Sequence, residues 1–447
     1  MTRVLLIGNG AREHALAEAI MRSKRSPLLF AYMKANNPGI ADLAAGIRLG
    51  SYERLAEIVS FARSSQVDFA LVGPEDPLNN GVVDALREAG IPAVGPSRSL
   101  ARLETSKSFT RDLLAKYGIE GNIRYKIFTD LAGVEEFLAE IPEVVIKPDG
   151  LTGGKGVLVQ GEHFQTRAEA LALCRQILAE HPRMIIEEKL DGEEFSLQCL
   201  CDGKHVVAMP AVQDHKRRFA DDTGPNTGGM GSYSLADHAL PFLTAHDIAK
   251  SLAITAEVAS ALYRETGEYY HGVMYGGFMV TKTGVRLLEY NARFGDPEAM
   301  NVLPLLKTDF VDLCQALIEG TLDQREIEWE KKATVCKYLV PKNYALANED
   351  SPAPDKIVDL KIGIGETGAA RIYYSSVDRR ADGLYMTSSR AVGLVGIAET
   401  LAEAEMIAEK AAGAISGWVD HRRDIGTAPL IEKRMRHMER LGRKFDR

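Results

Sequence analysis

The chain lacks any long hydrophobic run: nowhere in its 447 residues do the roughly 18 consecutive apolar side chains of a membrane span occur. The N-terminal apolar run, residues 4–7, is too short for a signal peptide. Cysteine is sparse. The five present, Cys174, Cys199, Cys201, Cys314 and Cys336, form no Cys-x-x-Cys pair, and their odd number in a long chain suits buried thiols in a reducing compartment. Positive charge is in deficit: 54 Lys and Arg against 62 Asp and Glu leave a net charge of -8, which argues against nucleic-acid binding. Any anionic ligand must then be held by local basic clusters. No internal repeat or low-complexity stretch occurs. The expectation is a soluble cytoplasmic protein with neither membrane nor nucleic acid as partner, and a monomer is favoured.

Two glycine motifs are incomplete. Gly8-x-Gly10 is followed by Glu13 where the dinucleotide fingerprint needs Gly or Ala, and no acidic residue clearly ends the second strand, so a nicotinamide domain is not expected. Lys155 precedes Gly156 where a P-loop has Ser or Thr, and a strand follows where a P-loop has a helix.

What is present is ordinary globular composition, 45% hydrophobic and 26% charged, in a length that suits roughly three domains. Over the first hundred residues, short apolar runs at 4–7, 28–32, 69–72 and 93–94 alternate with helical patterns, one of them carrying Ala15, Leu16, Ala19 and Ile20 on one face. That alternation predicts a parallel sheet, with the turns at Gly10 and Glu75 on its ligand-binding edge. After Gly95-Pro96-Ser97 a helix over 100–116, carrying Lys107, opens a second domain.

Residues 144–159 read Val-Val-Ile-Lys-Pro-Asp-Gly-Leu-Thr-Gly-Gly-Lys-Gly-Val-Leu-Val. Two strands flank a loop with four glycines, including Gly153 and Gly154, and with Lys147 and Lys155 at its ends. Glycine lets backbone amides approach an anion and the lysines add charge, so phosphate is the expected guest, against the alternative of a mobile hairpin with solvated lysines. The surrounding unit, residues 125–190, reads as a lid. An acidic hinge follows, Glu187-Glu188-Lys189-Leu190-Asp191-Gly192-Glu193-Glu194, able to offer amides, an apolar wall and an acid to a nucleoside.

Further on, Gln213-Asp214-His215-Lys216-Arg217 and Asp222-Thr223-Gly224-Pro225-Asn226-Thr227-Gly228-Gly229-Met230-Gly231 hold too many glycines for a packed element. A long loop this rich in hydrogen-bonding groups is expected to bind a ligand. A helix over 246–266 leads to a hairpin of strands 273–280 and 285–291, whose second strand sets Glu289, Asn291 and Arg293 at two-residue intervals on one face. Carboxylate and amide oxygens suit Mg²⁺, whereas the competing reading is the solvent face of an edge strand. Strands at 333–340, 370–375 and 391–397 and a helix over 401–418 complete the chain, and the basic stretch 433–444 is either a solvated helix face or a contact surface.

Lys107, the loop 147–156, the hinge 187–190 and Glu289-x-Asn291-x-Arg293 stand in the order and spacing of the ATP-grasp superfamily. Within it, Gly8-Asn9-Gly10-Ala11-Arg12-Glu13-His14-Ala15, Gly73-Pro74-Glu75, the 213–231 segment and Asn291-Ala292-Arg293-Phe294-Gly295-Asp296-Pro297-Glu298 resemble the phosphoribosylamine–glycine ligase family, over the chain to about residue 320. The resemblance implies an α/β fold: an N-terminal doubly wound parallel sheet domain over 1–103, an ATP-grasp domain over 104–324 with its lid subdomain at 125–190, and a C-terminal α+β domain over 325–447. It implies ATP-driven ligation of glycine to 5-phosphoribosylamine through glycyl phosphate, a step of purine synthesis, with Mg²⁺ or Mn²⁺. Other carboxylate–amine ligases of the superfamily are the alternative, and the 214–231 loop argues against them.

By the same resemblance, Lys107, Lys147, Gly153, Gly154 and Lys155 would bind the ATP phosphates, and Glu187, Glu188, Lys189, Leu190 and Glu194 the adenosine. Glu289 and Asn291 would hold the metal, and Arg293 and Lys147 would serve the phosphoryl group in transfer. Gly10, Glu75, Asp214, His215, Lys216, Asn226, Thr227, Gly228, Gly229, Asp296, Pro297 and Glu298 would hold glycine and the ribosylamine. The chain departs from the family at Ala11, at residues 34–39, and at Gly277, where some members carry a glutamine described as an extra metal ligand.

Overall fold

The computed structural model describes residues 1–151, 156–346 and 369–445, and the backbone of Val358–Asp359. The first strand, β1 (Arg3–Ile7), is apolar on both faces because it is covered on both. Val4 and Leu6 enter the large core shared with the rest of the chain, while Leu5 and Ile7 enter a second core private to the N-terminal region. With β2 (Leu28–Met33), β3 (Gly46–Leu49), β4 (Phe69–Val72) and β5 (Ala93–Val94) it forms an all-parallel sheet in the order β3-β2-β1-β4-β5. The strand order reverses at β1, so the turns after β1 and β4 lie side by side at the carboxyl edge, where open sheets of this kind bind ligands.

The helix expected over 100–116 is two helices, Arg98–Thr105 and Lys107–Lys116. Ser106 takes an extended conformation between them, and its side chain accepts from the Phe109 amide to start the second. Lys107 is thereby delivered at a helix start rather than on a helix flank. The lid is a four-stranded antiparallel sheet in the order Tyr125–Phe128, Met184–Glu188, Val144–Pro148, Leu158–Val159, with helices Val134–Glu140 and Arg167–Glu180 packed on it. Its own core includes Phe128, Phe137, Ile146, Cys174 and Ile186, which is what a subdomain needs to move as a unit.

The hinge feeds the long strand Gly192–Asp202, which pairs in full register with His271–Thr281; Gly284–Asn291 closes the expected hairpin. The 213–231 segment departs from the structureless loop expected of it. Gln213–Asp214 and Gly231–Ser234 pair with each other, and Arg217–Phe219 pairs with Thr223–Asn226 around a turn where Asp221 and Asp222 take positive φ. The glycines are accommodated because the paired strands are only two to four residues long.

Those outer strands join the C-terminal sheet: the order runs Gln213–Asp214, Gly231–Ser234, Ala333–Pro341, Val392–Ala398, Arg371–Tyr374. Helix Leu401–Ala414 covers it, ending short of the expected 418. The C-terminal region is thus built partly from the middle of the chain, and it also touches the N-terminal region, where the Tyr374 amide donates to His14 Nδ1 at 3.0 Å. All five cysteines are buried and free, as expected. No helix among the described residues is long and apolar enough to cross a membrane.

Candidate active site

A cleft of about 1060 Å³ opens where the four regions meet. Its walls include Lys107, Lys147, Glu187, Glu188, Lys189, Leu190 and Glu194, along with Glu75, Asp214, His215, Lys216, Asn226, Thr227, Gly228, Asp296, Glu298, Glu289, Asn291 and Arg293. Residues more than 200 positions apart in sequence, such as Glu75 and Arg293, 218 positions apart, are hydrogen-bond partners there. Gly10, Gly229 and Pro297 stand one layer behind: the Gly10 amide donates to the Glu13 carboxylate at 2.6 Å, and a Cβ on Gly229 would meet Asp214 Oδ1 at 2.7 Å and Pro297 Cδ at 2.8 Å. Gly153, Gly154 and Lys155 lie outside the described residues.

The lid side is a set of charges paired in advance. Glu187, 2% exposed, accepts from Arg111 Nε at 2.7 Å and lies 2.6 Å from Lys147 Nζ. Burial works against its charge, but Arg111 and Lys147 outweigh that and hold the carboxyl down at about 2. Glu187 therefore aims Lys147 instead of presenting a free carboxylate to a nucleoside. Lys107 donates to the Gly150 carbonyl at 2.6 Å, which ties the helix start to the lid loop, and burial depresses its pKa.

Across the floor, Arg293 is gripped by Glu104 at 2.9 Å and Glu75 at 3.2 Å and donates to Asn291 Oδ1 at 3.2 Å. Burial raises the Glu104 carboxyl to about 7. Burial disfavours charge on Glu75 too, yet Arg293 and Arg12 hold it at about 2. Glu104, Arg111 and Arg390 were not anticipated from sequence. Their partners are contributed by distant segments, Ala292 and Arg293 for Glu104, Glu187 for Arg111 and Asp296 for Arg390, so no local spacing marks them.

Glu289 and Asn291 reach the cleft from one strand face, as the alternation predicts. Lys216 Nζ lies 3.6 Å from Glu289 and 3.3 Å from Glu194. The cleft wall disfavours charge on Glu289, but Lys216, Lys147 and Lys107 keep its carboxyl below the ordinary value. One carboxylate and one amide oxygen, in a cleft rich in cations for phosphates, form a donor set that fits a hard divalent ion sharing its other positions with water and phosphate. Gly277 faces Glu289 across the hairpin and adds no side-chain oxygen; a Cβ there would stand 3.2 Å from Glu289 Cγ.

The acceptor side differs. Asp214 accepts from the His215 amide at 2.7 Å, and Glu298 from the Tyr275 hydroxyl at 2.8 Å. Neither has an ion-pair partner among the described residues. Burial and mutual repulsion push Asp214 well above the ordinary carboxylate range, and burial raises Glu298. Arg390, from the C-terminal sheet, pins the backbone around them, donating to the carbonyls of Gly228 at 2.6 Å and Asp296 at 3.0 Å.

A small antiparallel lid over a charged cleft, a glycine-rich loop, a hinge and an acidic strand define the ATP-grasp class of ligases and related enzymes. Family profiles of phosphoribosylglycinamide synthetase match the chain over its N domain, residues 2–104, and its ATP-grasp (A) domain, residues 105–299. The phosphoribosylamine–glycine ligases of Methanocella arvoryzae and Methanosarcina barkeri are 46% and 47% identical to it over 439 residues, 98% of this chain and 99% of each relative. The crystal structure of the Thermotoga maritima phosphoribosylamine–glycine ligase superposes with a TM-score of 0.78 at 26% identity, covering 95% of this chain and 100% of that one. The chain belongs to the phosphoribosylglycinamide synthetase family.

Proposed function

We propose that the protein joins glycine to 5-phosphoribosylamine at the cost of ATP, yielding glycinamide ribonucleotide, ADP and phosphate, in the cytoplasmic synthesis of purines. The observation that carries this reading is that one cleft is lined both by Lys107, Lys147 and Glu289 and by Asp214 and Glu298, carboxylates with no ion-pair partner among the described residues. A carboxylate resists an amine because its leaving group is an oxide. Glycine's carboxylate oxygen therefore attacks the γ-phosphorus, the bond to the bridging oxygen breaks and ADP leaves. The ribosylamine nitrogen then attacks the acyl carbon of glycyl phosphate, loses a proton and expels phosphate.

Phosphoryl transfer asks mainly for positioning and charge stabilisation, which suits a site of lysines and arginine. Lys107 and Lys147 hold the phosphates, and Lys147 is kept in place by Glu187. Glu188, Lys189, Leu190 and Glu194 receive the adenosine. Glu289 and Asn291 would hold Mg²⁺ or Mn²⁺, which when bound would supply countercharge for the phosphates. Arg293, held by Glu75 and Glu104, lends a fixed positive charge beside the transferred group. Asp214 and Glu298 take the ammonium of glycine, an assignment favoured by their having no ion-pair partner among the described residues. Residues 226–229 close over its methylene, and Lys216 with Asp296 completes the ribosylamine pocket. The lid excludes water from an acyl phosphate that would otherwise hydrolyse.

The test is ADP release with freshly made phosphoribosylamine, omitting glycine, amine or divalent ion in turn. Release that needs all three supports the reading; glycine-independent release overturns it.

A further inference from the structure

The basic stretch near the C-terminus is a contact surface. Helix Ala428–Arg440 buries Leu430 and Met438 and lays its charged side along the hinge. His437 Nδ1 lies 2.6 Å from Glu193 and Nε2 lies 2.9 Å from Asp191, so one imidazole bridges two hinge carboxylates. Arg434 lies 3.3 Å from Glu193 and 2.6 Å from Asp222, which links the hinge to the 217–226 hairpin. Beyond the helix, Arg443 reaches Asp247 at 2.5 Å. Both His437 and Arg434 line the cleft beside Leu190 and Glu193.

The hinge needs such restraint. Residues 189–191 are the link between the lid strand Met184–Glu188 and the body strand that starts at Gly192. On the body side it is fixed by close approach, since a Cβ on Gly192 would stand 2.1 Å from the Val280 carbonyl oxygen. On the other side Asp191 is largely exposed, and its bond to His437 is what ties it down. Without that tie each ordered hinge residue must be immobilised when the nucleotide binds.

We propose that His437 and Arg434 are positioning residues of the nucleotide site, holding Glu193 and the hinge in the arrangement that receives the nucleoside. This rests on the reading that residues 188–194 take adenosine. The C-terminal helix, which lies outside the stretches matched by the family profiles, is then a working wall of the ATP site.

The test is the dissociation constant for ADP, measured by calorimetry on the full chain, with KM values for ATP and glycine. His437→Ala should weaken ADP and raise the KM for ATP by about tenfold, from the cost of ordering a residue or two, with kcat at saturating ATP and the KM for glycine within about twofold. Arg434→Ala should move in the same direction. His437→Arg, whose guanidinium can donate to both Asp191 and Glu193, should restore most of the loss. A general structural role would lower kcat, worsen every KM and lower Tm together, and that pattern overturns the proposal. So does unchanged ADP binding in His437→Ala, provided Leu190→Asp weakens ADP. If Leu190→Asp also leaves ADP binding unchanged, the hinge is not the nucleoside site and both readings fall.

Discussion

The two walls of the cleft handle charge in opposite ways. On the lid and floor, carboxylates are matched before any ligand arrives: Glu187 with Arg111 and Lys147, Glu75 and Glu104 with Arg293. On the acceptor wall, Asp214 and Glu298 have no ion-pair partner among the described residues, and burial raises their affinity for protons. The matched wall is preorganised to stabilise charge that moves during the reaction, while the unmatched wall is completed by the positive group of the substrate. The first should govern rate and stability, and the second selectivity and pH dependence.

The largest expected effect lies on the phosphoryl side. Glu289→Ala removes an oxygen of the proposed metal site, and the loss of kcat should be about a hundredfold to a thousandfold, roughly 3 to 4 kcal/mol. Excess Mg²⁺ should rescue it only in part. Normal kcat at low Mg²⁺ would remove Glu289 from the metal site and break the comparison on its catalytic side.

Next comes Glu187→Gln, which leaves Arg111 and Lys147 facing each other without a countercharge. Removing one partner of a buried ion pair costs on the order of 3 kcal/mol or more, and thermal unfolding should show it. The sign with pH follows from a folded carboxyl held at about 2 against an ordinary value of 4.5. Its stabilisation is complete above the ordinary value and is lost as pH falls from there towards 2, so the wild type should lose stability across that window more steeply than Glu187→Gln. Parallel acid denaturation curves would show that the lid side is not prepaired in solution.

Much of this arrangement was legible in the sequence. Period-two and helical patterning located the parallel sheet, the lid strands and the Glu289 hairpin, because each depends on local periodicity and burial. Ser106 was not legible as a break, since the apolar spacing runs through it and only its capping of Phe109 gives the interruption away. The pairing of Gly231–Ser234 with Ala333–Pro341 was hidden for another reason: it joins segments a hundred residues apart, and glycine-rich composition masks strand propensity. Arg111, Glu104 and Arg390 look like ordinary surface charges until tertiary contacts pair them. The departure at Gly277 proved informative in its own right, because the position faces Glu289 directly.

On the acceptor wall, alanine in place of glycine tests how closely the 226–229 segment shuts. Backbone there is pinned by Arg390, and Gly229 already sits so close to Asp214 and Pro297 that the segment has little freedom to retreat. An added methyl is worth roughly 1 to 3 kcal/mol in such a pocket, so kcat/KM should fall by about tenfold to two-hundredfold. Equal rates would mean that the segment closes over some other group.

The smallest effect is also the most specific to the contrast between the walls. If Asp214 and Glu298 receive the glycine ammonium, the substrate must displace any proton the pair holds in the empty site. Both carboxyls are raised, so protonation of the free enzyme persists to higher pH than for an exposed carboxylate. The kcat/KM for glycine should therefore rise with pH through the titration of the pair, by at most about tenfold per pH unit for one proton lost, and level off once the pair is ionised. The KM for ATP should stay flat over that range, since Glu187 and Glu75 titrate at about 2. Asp214→Asn leaves a single carboxylate, which removes the repulsion that helps raise the pair; the rise should shift to lower pH and glycine should bind more weakly. An unshifted profile in Asp214→Asn would assign the pH dependence to another group, with Glu104 at about 7 the first to examine.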